Sequence, residues 1–145
     1  MQAAVLESPG RITLKSIKMP ACPTGGLLVK VTACAVCSTD AKIFKSGHRD
    51  LVYPRILGHE VVGVVVQTQT TMFQNGERVQ VYPGIGCGEC DACLRGYSRR
   101  CKSLKIIGFS ADGGFAEYLP VSCSAVIDGG VNKIPAFITD AEATL

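Results

Sequence analysis

Apolar and β-branched residues in this chain gather into short runs separated by turn formers. Ala3 to Leu6, Leu27 to Ala33, Val61 to Gln67, Arg78 to Tyr82 and Phe115 to Val121 are such runs, bounded by Pro, Gly and Asn. Their length and spacing predict strands of a small barrel or sandwich, mostly β, with Asn75-Gly76 as the hairpin turn between the third and fourth. The stretch from Ser38 to Lys45 departs from this pattern. Ser38, Thr39 and Asp40 are good helix-capping residues, Ala41, Ile43 and Phe44 follow at helix-compatible positions, and Gly47 ends the segment. Thr139-x-x-Glu142 is a capping box and predicts a helix starting at the far end of the chain. The sequence has no internal repeat and no low-complexity linker.

Composition adds the scale. With 145 residues and 47% hydrophobic content the chain has the size of one domain and can bury a core. No apolar run approaches the roughly 20 residues of a membrane span. The N-terminal MQAAVLESPG lacks a charged segment followed by an apolar one, so a cytoplasmic location is expected. Eight cysteines then read as thiolate ligands or free thiols in preference to a disulfide framework. The net charge of +3 is mild. Arg95, Arg99, Arg100, Lys102 and Lys105 cluster, but without interleaved stacking aromatics they read as a solvated loop, and nucleic acid is not indicated.

The strongest chemical signal is Cys87, Cys90, Cys93 and Cys101, spaced C-x2-C-x2-C-x7-C. Thiolates at such intervals can turn inward around one ion, and four sulfurs close a tetrahedral zinc shell, which makes this a structural site. The rival is an iron–sulfur cluster, because the first three cysteines match the start of a ferredoxin run. Against it, the fourth follows seven residues instead of three, and Lys102, not proline, comes next. A second constellation is more diffuse. Cys37 opens the short helix and His59 follows Gly58 at the entrance to an apolar strand. Taken alone such a pair is more often a buried thiol and a core histidine. Asp40, able to orient an imidazole from behind, and Glu60, able to act as a nearby or displaceable ligand, favour an open zinc site of the catalytic kind.

The segments ACAVCSTD (33–40), GHEVVG (58–63), GERV (76–79), the four-cysteine loop and GGFAEY (113–118) occur in the order found in zinc-dependent medium-chain alcohol and polyol dehydrogenases. The chain resembles the N-terminal, GroES-like catalytic domain of that family over essentially its whole length, 1–145. The resemblance implies that Cys37 and His59 bind catalytic zinc and that Glu60 stands behind the metal. It implies that Thr39 takes the substrate proton and Asp40 orients His59, while Cys87, Cys90, Cys93 and Cys101 hold structural zinc. Cys22, Cys34 and Cys123 have no ligand role in it and read as buried thiols. The implied reaction is oxidation of a small alcohol or polyol by hydride transfer to NAD(P), in a homo-oligomer.

Departures from the family pattern sharpen the picture. Ser38 stands where glycine or a basic residue is usual, and Gln69 occupies a turn position that usually carries glycine. Lys42 replaces a histidine that ends the proton relay in many relatives, and a lysine, with a reference pKa of about 10.4, is a poor shuttle at neutral pH. Phe109 is a candidate pocket wall. The family's third zinc ligand is expected just beyond Leu145, with Glu142 reading as the capping-box partner. No strand followed by G-x-G-x-x-G opens a helix, so the Rossmann nucleotide-binding domain is absent from this chain. The alternative reading is a stand-alone, zinc-stabilised binding or scaffolding module without oxidoreductase activity. A co-chaperonin, suggested by barrel type alone, has no use for two metal constellations.

Overall fold

The computed structural model describes residues 1–144, and the architecture is mostly β. In chain order the elements are β1 (Gln2–Ser8), β2 (Arg11–Ser16), β3 (Leu27–Ala35), α1 (Ser38–Ser46), β4 (Arg55–Ile56), β5 (Glu60–Thr68), β6 (Arg78–Val81) and β7 (Gly84–Ile85). They continue with α2 (Asp91–Leu94), β8 (Lys105–Ile106), β9 (Tyr118–Val121), α3 (Cys123–Ile127) and β10 (Val131–Lys133), with 3-10 turns at Ser98–Arg100 and Glu142–Thr144. A five-stranded antiparallel sheet runs β10-β6-β5-β3-β9, and a three-stranded one runs β2-β1-β4. A third, two-stranded sheet pairs β7 with β8. None of the described helices is long and apolar enough to cross a membrane.

The main core follows from period-two alternation. Along β6, Val79 and Val81 are buried while Arg78 and Gln80 are half-exposed. Facing them lie Leu27, Val29, Val61, Val65, Leu119 and Val121, all essentially without solvent contact. Each such side chain contributes about 1.5–3 kcal/mol by leaving water. A second cluster of Leu6, Ile43, Leu51 and Leu57 anchors α1 to the barrel through its one buried apolar residue, Ile43.

All five predicted strands are present; the fourth stops one residue early, at Val81, and the last is shortened more. In place of Phe115 to Val121, the strand spans Tyr118–Val121. Residues 115–117 serve a different purpose and bridge the two larger sheets. Phe115 O accepts from Ala4 N–H, Ala3 bridges Ala116, and Glu117 O accepts from Val31 N–H. The predicted hairpin joins β5 and β6, but through a longer loop. Gln74 O accepts from Glu77 N–H around Asn75-Gly76, and only Gly76 takes a positive φ, of 90°. A two-residue primed hairpin needs positive φ at both central positions, so the turn caps an extended loop. The predicted helix appears as α1, closed by Gly47 with its N–H on Ile43 O. Gln69 sits in its turn without positive φ, its N–H bonded to Gly26 O.

Candidate metal centres

The four-cysteine loop folds as a lobe built on β7, α2, the turn at Ser98–Arg100 and β8. All four sulfurs lie within 4.8 Å of one another. Cys87 Sγ is 3.9 Å and Cys90 Sγ 3.5 Å from Cys93 Sγ. A tetrahedron with Zn–S bonds of about 2.3 Å has sulfur–sulfur edges of about 3.8 Å, so the cage has the size zinc requires. Backbone amides already point at the sulfurs: Cys90 N–H donates to Cys87 Sγ and Cys87 N–H to Cys101 Sγ, each at 3.4 Å.

The thiols divide in acidity. Amides of the 89–90 turn, Glu89 first, lower Cys87 to about 7. At Cys93 the Gly88 amide pulls the other way, but burial and the three neighbouring sulfurs prevail and push it up to about 12. A divalent cation reverses that crowding, because coordination deprotonates a thiol outright. The lobe's arginines engage their own surroundings: Arg99 lies over the Tyr82 ring, Arg100 over Tyr97, and Arg95 pairs with Asp91.

The second centre arises from strand pairing. In the β3–β5 ladder Val31 faces Gly63 and Ala33 faces Val62, so Thr32 is an extra residue that shifts the register. The shift leaves Ala35 opposite Glu60 at the open end of the sheet. Cys37, just past β3, and His59, just before β5, therefore meet. Gly58 makes the turn into β5 with φ of 89°, and a Cβ there would stand 2.6 Å from the Phe115 ring and 2.8 Å from Cys34 Sγ.

Cys37, His59 and Glu60 offer ligand atoms within 4.8 Å of one another. His59 Nε2 faces Glu60 Oε1 at 3.7 Å, and its Nδ1 faces Asp40 Oδ1 at 3.4 Å. Asp40 is buried and ties the region together: Oδ2 accepts from Cys37 N–H at 2.9 Å, and Oδ1 from Gly58 N–H at 3.1 Å. The Thr39 amide, with smaller contributions from His59 and the Thr39 hydroxyl, lowers the Cys37 thiol to about 7. By contrast burial, aided by the Asp40 carboxylate, pushes Cys34 up to about 12. Only Cys37 offers its sulfur beside the His59 and Glu60 ligand atoms, so the two neighbouring cysteines are chemically distinct. The sulfur, imidazole and carboxylate donors suit zinc with a position left open.

Thr39 Oγ1 lies 3.8 Å from Cys37 Sγ and, with His59, opens onto a cleft of about 560 Å³. Its walls include Ile43, Pro83, Ile107 and Phe109, so the expectation for Phe109 holds, and Lys42 also lines it. His48, Pro83 and residues 106–108 went unforeseen. Only His48 carried a signal, as the chain's one histidine besides His59. Of the three cysteines expected to be buried thiols, Cys22 is buried, whereas Cys34, near the end of β3, and Cys123, at the start of α3, are half-buried. Glu142 is the capping partner, accepting from the Thr139 N–H at 2.9 Å and hydroxyl at 2.7 Å. Leu145 lies outside the described residues.

A barrel that carries a four-sulfur lobe and, at the end of its central strands, a Cys–His–Glu cluster beside an apolar cleft defines a zinc-type metalloprotein domain. Residues 23–131 match the alcohol dehydrogenase GroES-like domain, and the chain belongs to that family. It is 38% identical to D-altritol 5-dehydrogenase of Agrobacterium fabrum over 137 residues, covering 93% of this chain and 40% of that protein. With L-galactonate-5-dehydrogenase of Escherichia coli it shares 30% identity over 129 residues, covering 88% of this chain and 38% of the relative. The crystal structure of a short chain alcohol dehydrogenase from Escherichia coli CFT073, complexed with NADH, superposes with a TM-score of 0.84 at 31% identity, covering 99% of this chain and 41% of that one. The chain thus spans about two fifths of the length of these relatives.

Proposed function

We propose that this chain forms the metal-bearing catalytic domain of a zinc-dependent alcohol or polyol dehydrogenase. In this reading NAD(P) is bound by a separate nucleotide domain. The observation that carries the proposal is the convergence of Cys37, His59 and Glu60 within 4.8 Å, beside Thr39 and an apolar cleft. Zinc held there would supply Lewis acidity that lowers the pKa of a substrate hydroxyl. The Thr39 hydroxyl accepts the substrate proton and hands it outward, so that the alcohol carbon can release hydride to nicotinamide. Asp40 fixes the His59 ring and, through two backbone amides, the loops carrying Cys37 and His59. Ile43, Ile107 and Phe109 keep water from the reacting atoms. Cys87, Cys90, Cys93 and Cys101 hold a second, structural zinc. The unpaired thiols suit the reducing cytoplasm, and the working enzyme is a homo-oligomer.

The test is substitution in the native polypeptide. Cys37→Ser and His59→Ala should each abolish NAD(P)-dependent oxidation of a polyol panel while zinc analysis falls from two ions per chain to one. Unimpaired turnover in either variant would remove the catalytic assignment. Unchanged zinc content would remove the metal assignment.

A further inference from the structure

The polar residues of the cleft point to the kind of alcohol it takes, on the footing that the dehydrogenase reading is right. Beyond the reacting centre at Thr39 and His59, the lining has two further polar side chains, Lys42 and His48, and no carboxylate. Lys42 follows Thr39 by three positions on α1, so the two share a helix face, offset by about 4.5 Å along the axis at 1.5 Å per residue. Among the described residues its ammonium has no ion pair.

His48 is held by two contacts. Its ring meets Phe109 edge-on at 4.7 Å, and Nδ1 accepts from Asp50 N–H at 3.2 Å. With Nδ1 an acceptor, the neutral ring carries its proton on Nε2. In the charged form, which the Asp50 carboxylate 3.8 Å from Nδ1 would face, Nε2 is protonated as well. The Lys42 ammonium and, with Nδ1 held as an acceptor, His48 Nε2–H are therefore donors.

Both residues are exposed at the cleft, and a neutral polyol, whose hydroxyls both donate and accept, brings no opposite charge to Lys42. An oxyanion accepts only, and it matches both groups in hydrogen bonding and in charge. We propose that the cleft recognises a hydroxylated substrate bearing a terminal oxyanion, a carboxylate or a phosphate ester, which Lys42 and His48 hold while the reacting carbinol lies at Thr39. These two residues are specificity determinants. They take no part in the proton transfer.

The experiment compares a neutral polyol, the aldonate of the same carbon chain and the corresponding terminal phosphate as substrates of the native polypeptide with NAD(P). One of the two anions should be preferred in kcat/KM, and which one identifies the oxyanion. Lys42→Met keeps the stem and removes the charge. It should lower the anion-to-neutral ratio by about 10- to 100-fold, the range of a charge-assisted hydrogen bond, and His48→Phe should lower it less. Equal use of neutral and anionic substrates by the wild type would overturn the proposal and leave the dehydrogenase reading intact. So would an unchanged ratio in Lys42→Met with the cofactor KM raised for all substrates, which would assign the lysine to the cofactor. No oxidation of any of the three, together with calorimetry showing no aldonate or phosphate binding, would defeat both readings. Binding of an anion that is lost in Lys42→Met would uphold the recognition site by itself.

Discussion

The two metal centres are built in opposite ways. In the lobe every ligand comes from one loop, Cys87 to Cys101, and the regular structure around it is slight: a four-residue helix, a 3-10 turn and a pair of two-residue strands. The other centre draws Cys37 and His59 from the ends of two nine-residue strands whose pairing is the backbone of the barrel. In the first case the ion must organise the chain. In the second the chain organises the ion. The lobe has too few buried apolar residues to hold its shape unaided, whereas the β3–β5 ladder is packed among fully buried valines and leucines.

The largest effect should therefore come from taking a ligand out of the lobe. Cys93→Ser removes the sulfur that sits 3.5 Å and 3.9 Å from two others. Structural zinc contributes about 10–16 kcal/mol to the folding of zinc-finger peptides, so the lobe should lose order between β7 and β8. Limited proteolysis should cut within the 86–104 segment, while amide exchange in β3, β5 and β6 stays slow. A lobe equally resistant to protease, or a barrel that unfolds with it, would show that the two regions are not independent in the way their construction implies.

Gly58→Ala attacks the barrel-built centre in its turn. A left-handed conformation costs a non-glycine residue roughly 1–2 kcal/mol, and forcing atoms into a packed space adds about 1–3 kcal/mol. Here the new Cβ would meet Phe115 and Cys34 well inside contact distance. A loss of about 2–5 kcal/mol in global stability is expected by denaturant titration. Zinc at Cys37 and His59 should be lost, while zinc in the lobe is retained. A melting curve like that of the wild type would mean that the turn has room the geometry does not show.

The same contrast explains what the sequence made legible. Four ligands in one loop announce themselves by spacing, because the loop that binds is the loop that is read. Cys37 and His59 have no such spacing. Their meeting depends on the extra residue Thr32 in the ladder, which no local pattern encodes; the neighbouring Asp40 and Glu60 gave a diffuse hint of it, and the ordered motifs of a resemblance made it definite. The core strands were legible because they alternate or run apolar. β2 was not, since nearly all of Arg11–Ser16 is exposed and no buried face imposes a period, and in β10 only Val131 is buried. Ser122, whose hydroxyl accepts from Ala125 N–H, was an available start signal for α3 that the apolar pattern overshadowed. His48 reaches the cleft from a polar loop, where position depends on tertiary packing alone.

The smallest of these effects, and the sharpest probe of how the barrel supports its metal, is Asp40→Asn. The two carboxylate oxygens accept from two different amides, Cys37 N–H and Gly58 N–H, and Oδ1 also faces His59 Nδ1. Asparagine has one carbonyl oxygen, so whichever way the amide is turned one of the two backbone donors meets an NH₂ group. An unsatisfied buried donor costs about 1–3 kcal/mol, and zinc affinity at Cys37 and His59 should fall about 10- to 100-fold, as when a histidine ligand loses its orienting carboxylate. The lobe, with no link to Asp40, should hold its zinc unchanged. Competition with a chromophoric chelator reads the two sites separately, as a weak and a tight phase. If both phases matched the wild type, Asp40 would be an ordinary helix-capping residue, and the coupling of the α1 start to the Gly58 turn would have to come from packing of Ile43 and Leu57 instead.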